Sequence, residues 1–238
     1  QIGGMVKVSI VKEHKLKELA GATARSYIRR CNSDGTDGPI PTSQEAYSIE
    51  VLLSFSYVSD CLDQLYLSID MLSGFVASKQ KNGLNRHDYL VYSIENYYLR
   101  LTSVYDRCLR LVNTVFRFGL PEKQCSNATI VENEYIKGTG VAAALKELDK
   151  FSISFRQYRN QAAHQKPYSD ENLDKLGRFF YIRELDDEFE HLDRFYKVKA
   201  DNFVKAKKTE FKSQLCELEK KVLKLMDSLQ GVYMEKSV

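Results

Sequence analysis

The chain has little of what interrupts a helix. Only four prolines and twelve glycines are spread over 238 residues, and they cluster between long periodic segments. Strand patterning is nearly absent: Val6, Val8 and Ile10 alternate briefly and nothing longer does, which argues against a sheet-built fold. No apolar run approaches the roughly 18–20 residues that cross a bilayer. No signal-peptide pattern opens the chain, and no membrane partner is expected. The five cysteines (Cys31, Cys61, Cys108, Cys125 and Cys216) are odd in number and form no C-x-x-C pair. A zinc site or disulfide framework is therefore not expected, and a reducing cytoplasm is the expected location. There is no phosphate loop of the G-x-x-x-x-G-K-[ST] kind and no nucleophile elbow. A formal charge of +3 permits contact with nucleic acid but falls short of the footprint of a dedicated duplex binder.

What remains is helix. The chain is long enough for one large domain or two small ones, and a hydrophobic fraction of 43% with 28% charged residues suits a globular core. Residues 1–43 read as an N-terminal arm with a short helix, and residues 44–238 as an all-α bundle of four to six helices. Turn chemistry at Ser33–Pro39 leads to Thr42-Ser43-Gln44-Glu45, a capping box in which hydroxyl and carboxylate satisfy free amides. From there Val51, Phe55, Val58, Leu62, Leu65, Ile69, Leu72 and Val76 recur at alternating spacings of four and three, which keeps an apolar seam on one side of a helix. The polar run Ser78–Gly83 ends it, and Asn85 caps the next helix, with Asp88 in its first turn. That helix carries Leu90, Ile94, Tyr97, Leu101, Val104, Cys108, Leu111 and Val115 in the same alternation, and Gly119 and Pro121 stop it.

Residues 121–140 show no period and read as a long loop, more often functional or mobile than idle. A third long helix is expected from Val141, Leu145, Leu148, Ser152 and Phe155, and the next position in phase is Arg159. Ser169 or Asp170 caps a fourth, with Leu173, Leu176, Phe180, then Leu185, Phe189, Leu192 and Tyr196 as its seam. A last helix carries Phe211, Leu215, Leu218, Val222, Leu225 and Leu229 in phase. Whether those last two are separate helices or one bent one stays open.

The chemistry-bearing run is Arg159-Asn160-Gln161-Ala162-Ala163-His164, followed by the helix-stopping Pro167. Arginine clamps phosphate, the amide holds a neighbouring oxygen, and imidazole moves a proton near neutral pH. Together these groups cleave RNA without a metal. A structural reading competes, because a composition of this kind yields roughly 0.2 chance R-x4-H matches, and a histidine at a helix C-terminus suits the dipole. Three features favour function: the seam phase, which points Arg159 at a partner helix or a cleft; the small Ala162 and Ala163, which leave room for approach; and the position at a helix end.

An all-α bundle whose third long helix ends in R-N-x-x-x-H resembles the HEPN superfamily (higher eukaryotes and prokaryotes nucleotide-binding). Its catalytic members carry R-x(4–6)-H, most often with Asn after Arg, and Arg159, Asn160 and His164 match position by position. The resemblance implies a homodimer with both motifs facing one cleft, and an RNA endonuclease that needs no metal or cofactor and leaves 2′,3′-cyclic phosphate. It also implies membership of toxin–antitoxin, phage-exclusion or other defence systems, with an antitoxin protein as a further partner. Several family ribonucleases carry tyrosine two residues after the histidine. Here that position is Lys166 and the nearest tyrosine is Tyr168, so these two are the expected substrate-binding residues. The superfamily also holds inactive modules that bind RNA or a protein through the same cleft.

Other candidates carry less. Glu188-x-x-His191 has the spacing of a di-iron ligand pair, but no second such pair exists in the chain, and a di-metal bundle needs one. Tyr98 and Tyr105 are expected to line core or cleft. Glu95, Arg100 and Asp106 lie on the helix that could face the motif. Lys205, Lys207, Lys208, Lys212, Lys220, Lys221 and Lys224 give the last helix a basic side, expected to be solvated or to serve as an RNA track.

Overall fold

A computed structural model of the chain describes residues 8–31, 38–76, 83–164, 167–185 and 187–237, with the side chains of His164, Glu184 and Asp187 excepted. The turn positions 33–37 and 78–82, Val6 and Lys166 therefore lie outside the described residues. Among those described there is no strand, and the fold is all-α. Seven α-helices appear: α1 (Lys15–Ile28), α2 (Ser43–Met71), α3 (Arg86–Phe116), α4 (Gly140–Ile153), α5 (Arg156–His164), α6 (Glu171–Leu185) and α7 (Asp193–Lys236). Lys15–Ile28 is the short helix of the arm, and the other six make up the bundle, the expected third long helix being two, α4 and α5.

The chain forms two compact units. One comprises Lys7–Asp63, Ser103–Ile153 and Glu217–Val238. The four-three alternation puts Val51, Phe55, Val58 and Leu62 of α2 in its core, with Val104, Cys108, Leu111 and Val115 of α3. Val141, Leu145 and Leu148 of α4 and Leu218, Val222, Leu225 and Leu229 of α7 complete it. The capping box forms as the sequence implies: the Glu45 amide donates to Thr42 Oγ1 (3.2 Å), and the Thr42 amide donates to the Glu45 carboxylate (2.9 Å). That backbone donor, aided by Ser26 and Arg30, holds the Glu45 carboxyl below the usual carboxylate range. Tyr47 Oη donates to the Val115 carbonyl (2.8 Å), tying α2 to the end of α3. Ser9 is tied down ahead of α1: its Oγ donates to the buried Glu219 (2.7 Å) and its amide to Asp63 (2.8 Å).

The segment 121–140, expected as a long loop, is a series of short helical turns with a hydrophobic underside. Ile130, Val131 and Ile136 are buried. Asn127 donates to Asp149 of α4 (2.7 Å) and accepts from the Tyr105 hydroxyl. Three apolar residues spaced irregularly suffice to pin down a segment that shows no helical period and is otherwise mostly exposed, which is why sequence periodicity does not reveal it.

The second unit contains Gln64–Thr102 and Ser154–Cys216. Leu65 and Ile69 of α2 with Leu72 just past its end, Leu90, Ile94, Tyr97 and Leu101 of α3, Leu173 and Leu176 of α6, and Val204, Phe211 and Leu215 of α7 are its core. Tyr97 stacks on Phe211 at 3.7 Å between centroids and donates to the Phe211 carbonyl (3.0 Å). The seam of α2 ends one position early. Val76 is exposed, because the helix stops at Met71, whose carbonyl accepts from Tyr89 Oη (2.6 Å). Gly74 leaves room for that hydroxyl, which would stand 2.8 Å from a Cβ there. In α6 the buried ring is Phe179 rather than Phe180, and Leu185 is exposed. A 3-10 turn at Asp187–Leu192 divides the expected fourth seam: Phe189 and Leu192 fall in the turn, and Tyr196 belongs to α7, which runs on unbroken as the last helix.

Candidate functional site

Helix α5 carries the motif. It is nine residues long and begins after the two-residue turn Ser154–Phe155. The Phe155 carbonyl accepts from the amides of Tyr158 (3.1 Å) and Arg159 (3.3 Å), which starts the new helix. The break corrects the expected phase. In an unbroken helix Arg159 would follow Phe155 along the seam and carry a guanidinium toward the aromatic core, a costly burial without a partner. Instead Tyr158 takes the inward place. Its ring lies on the buried Tyr98 at 4.6 Å between centroids and 20° between planes, and Phe155 flanks the same tyrosine at 6.0 Å.

Arg159 and Asn160 are consequently exposed, not aimed into a partner helix. Arg159 Nη1 donates to Asn160 Oδ1 at 3.3 Å, and among the described residues no carboxylate pairs with Arg159. Taking Arg159 as zero, about 100° per residue puts Asn160 at about 100° and position 164 at about 140°. Arg156, Gln157 and Ala163 fall on the same arc and are exposed, whereas Tyr158, Gln161 and Ala162 occupy the opposite arc and are half-buried. The three motif positions thus share the open side of one short helix. His164 is its last residue, and its side chain lies outside the described residues, as does Lys166.

Behind α5 sits a polar cluster that the sequence did not reveal. Tyr168 is buried, its amide donates to Glu95 of α3 (2.8 Å), and its ring packs against Tyr98 and Tyr158 at 5.9 Å. Glu95 therefore reaches the segment just past the motif, while Arg100 bonds Asn96 and Gln64. The Tyr168 hydroxyl accepts from Lys207 Nζ (3.3 Å), which also bonds Glu210 (2.8 Å); Glu210 in turn accepts from Tyr98 Oη (3.3 Å). Lys207 was expected on a solvated basic face, but only 8% of it is exposed. Burial alone would lower its pKa. The hydrogen bonds that it donates to Glu210 and to the Tyr168 oxygen outweigh that, and the ammonium is held above its usual range. Burial pushes the phenols of Tyr98 and Tyr168 upward as well. The signal in sequence was the phase: Lys207 stands four residues before Phe211, on the seam of α7. Tyr158 left no comparable trace, because only the helix break brings it inward.

His191 Nδ1 lies 2.9 Å from the Glu188 carbonyl oxygen, a local turn contact, and among the described residues no cluster of ligand-type side chains could hold a metal.

The Cthe2314-like HEPN family model matches residues 48–197. The chain belongs to the HEPN family. The matched span begins within α2 and ends in the first turns of α7, so it includes α5, Tyr168 and the Tyr98 stack. For a HEPN chain the all-α bundle is the expected architecture, and the superfamily is of nucleotide-binding and ribonuclease type. No curated protein and no solved structure matches the chain. No helix among the described residues is long and apolar enough to cross a membrane.

Proposed function

We propose that this HEPN chain is a metal-independent endoribonuclease, with Arg159, Asn160 and His164 as its catalytic residues. The observation that carries the reading is the exposed Arg159–Asn160 pair on the same arc of α5 as position 164, unpaired with any described carboxylate. A guanidinium left open in this way is available to a phosphate, and its neighbour holds it in place.

In the proposed reaction His164 takes the proton of a ribose 2′-hydroxyl, and that oxygen attacks the adjacent phosphorus. The P–O5′ bond breaks, the 5′-oxygen takes its proton from water, and a 2′,3′-cyclic phosphate remains. Arg159 neutralises charge growing on the phosphoryl oxygens, and Asn160 orients Arg159 and the phosphate. The internal nucleophile removes the need for a metal-activated water. Tyr168 and Lys207 enter as anchors of α5 from behind. The open arc of α5 is also the proposed two-fold contact of a homodimer, because two copies facing one another would enclose a phosphate that one helix only touches. A toxin or phage-defence setting controlled by an antitoxin protein, in the cytoplasm, completes the proposal.

The test is purified protein incubated with total RNA in excess chelator. Fragments ending in 2′,3′-cyclic phosphate are expected. Intact RNA would overturn the enzyme and favour a module that binds RNA or a protein through the same surface. Growth arrest on induced expression, relieved by Arg159→Ala, tests the toxin role.

A further inference from the structure

We infer that the groove between α6 and the start of α7 is a docking site for single-stranded RNA, separate from the motif of α5. The inference deepens the ribonuclease reading by naming the form of the polymer, and takes RNA as the ligand from it.

The groove is about 820 Å³ and lies wholly within one compact unit. Its floor is aromatic. Tyr196 is locked from behind by Phe179, which stacks on it at 3.7 Å and 10°, while Phe195 stands against Tyr196 at 87° with 53% of its surface exposed. Two ring faces at right angles, one fixed and one open, make a corner in which a base stacks on one ring and meets the edge of the other. The rim is cationic. Lys199 lies 5.3 Å from the Phe195 centroid, and Arg178 and Lys175 face it from α6. Lys175 is paired with Glu171 (2.7 Å), which leaves Arg178 and Lys199 as the freer charges. No carboxylate lines the groove among the described residues, and Asn202 supplies an amide that both donates and accepts.

Aromatic rings that stack bases beneath a cationic rim are how sequence-tolerant single-strand binders work, and base stacking persists whatever the sequence because every base has a π-face. A duplex hides those faces. The charge excludes an ordinary apolar protein helix less firmly, so the experiment includes that outcome.

The probe is an uncleavable 2′-O-methyl RNA of about 12 nucleotides, fluorescently labelled, single-stranded or annealed to its complement. Binding is read by anisotropy over a salt series. Phe195→Ala is expected to weaken single-strand binding about tenfold, one stacked base, and Phe195→Tyr to restore it. Arg178→Gln with Lys199→Gln is expected to flatten the salt slope by about 1.4, two phosphate contacts on a single strand. The duplex is expected to bind more weakly, and Phe195→Ala to leave its binding unchanged. Equal affinity of wild type and Phe195→Ala for the single strand would overturn the inference. So would a change of oligomeric mass in Phe195→Ala without a change in RNA affinity, which would make the groove a protein interface. Circular dichroism checks that the variants are folded. If wild type leaves cleavable RNA intact yet Phe195→Ala weakens binding, the ribonuclease reading fails and the docking site stands. If Arg159→Ala abolishes cleavage and Phe195→Ala changes no affinity, the reverse holds.

Discussion

Tyr158 lies nearly parallel on Tyr98, 4.6 Å between centroids, and the next residue, Arg159, faces outward. The stack and the turn before it set which side of α5 meets solvent. Tyr98 is fully buried, so Tyr98→Ala should cost about 3–5 kcal/mol in denaturant unfolding. Tyr98→Phe keeps the ring and removes the hydroxyl that bonds Glu210, and should cost about 1 kcal/mol. Tyr158→Ala should cost less stability than Tyr98→Ala, because Tyr158 is half-buried, yet lower cleavage strongly by freeing α5. Equal unfolding and cleavage losses across the three would refute a positioning role for the stack.

Substitution in the motif should act on chemistry and not on folding. His164→Ala should lower RNA cleavage by about 10²–10⁴-fold, the range of one general acid or base. Arg159→Ala should be comparably damaging, since much of the phosphorane charge then goes unopposed. Asn160→Ala should cost less, because Arg159 keeps its charge. Helix content should be unchanged in all three, as none of the seams depends on them. Full cleavage by His164→Ala protein would show that the histidine moves no proton.

Self-association should run through the open arc of α5. Sedimentation at micromolar concentration is expected to give a dimer, and Ala163→Arg, on that arc, to shift it toward monomer with loss of cleavage. A stable wild-type monomer that still cleaves RNA would exclude a composite site.

Lys207 gives a pH dependence of known sign. Its folded pKa is raised above the unfolded value. The stability it contributes is therefore fully present below about pH 10.5 and is lost as pH rises through the folded pKa. The difference in unfolding free energy between wild type and Lys207→Met should be constant from about pH 7 to 9 and shrink above about 10.5. The phenols of Tyr98 and Tyr168, also raised, act in the same direction in both proteins, so the comparison is of slopes. A difference independent of pH throughout would mean that Lys207 serves by packing alone.

The sequence by itself determined the helices and most of their buried faces. Eight four-three positions in α3, the capping box at Thr42 and Glu45 and the Asn85 cap, whose side chain accepts from the Asp88 amide at 3.0 Å, were all legible. These features are local, fixed by residues three or four apart. The motif residues were legible as chemistry, but their direction was not. Tertiary structure decided that, because Ser154–Phe155 resets the helical phase and two aromatic rings compete for Tyr98 more favourably than a guanidinium could. It also decided that Lys207 is buried between Tyr168 and Glu210, and that irregularly spaced Ile130, Val131 and Ile136 fold down the 121–140 segment. A break of two residues and a contact across 39 leave no period to read. Only packing, which weighs the burial of each charge against its available partners, selects between the alternatives.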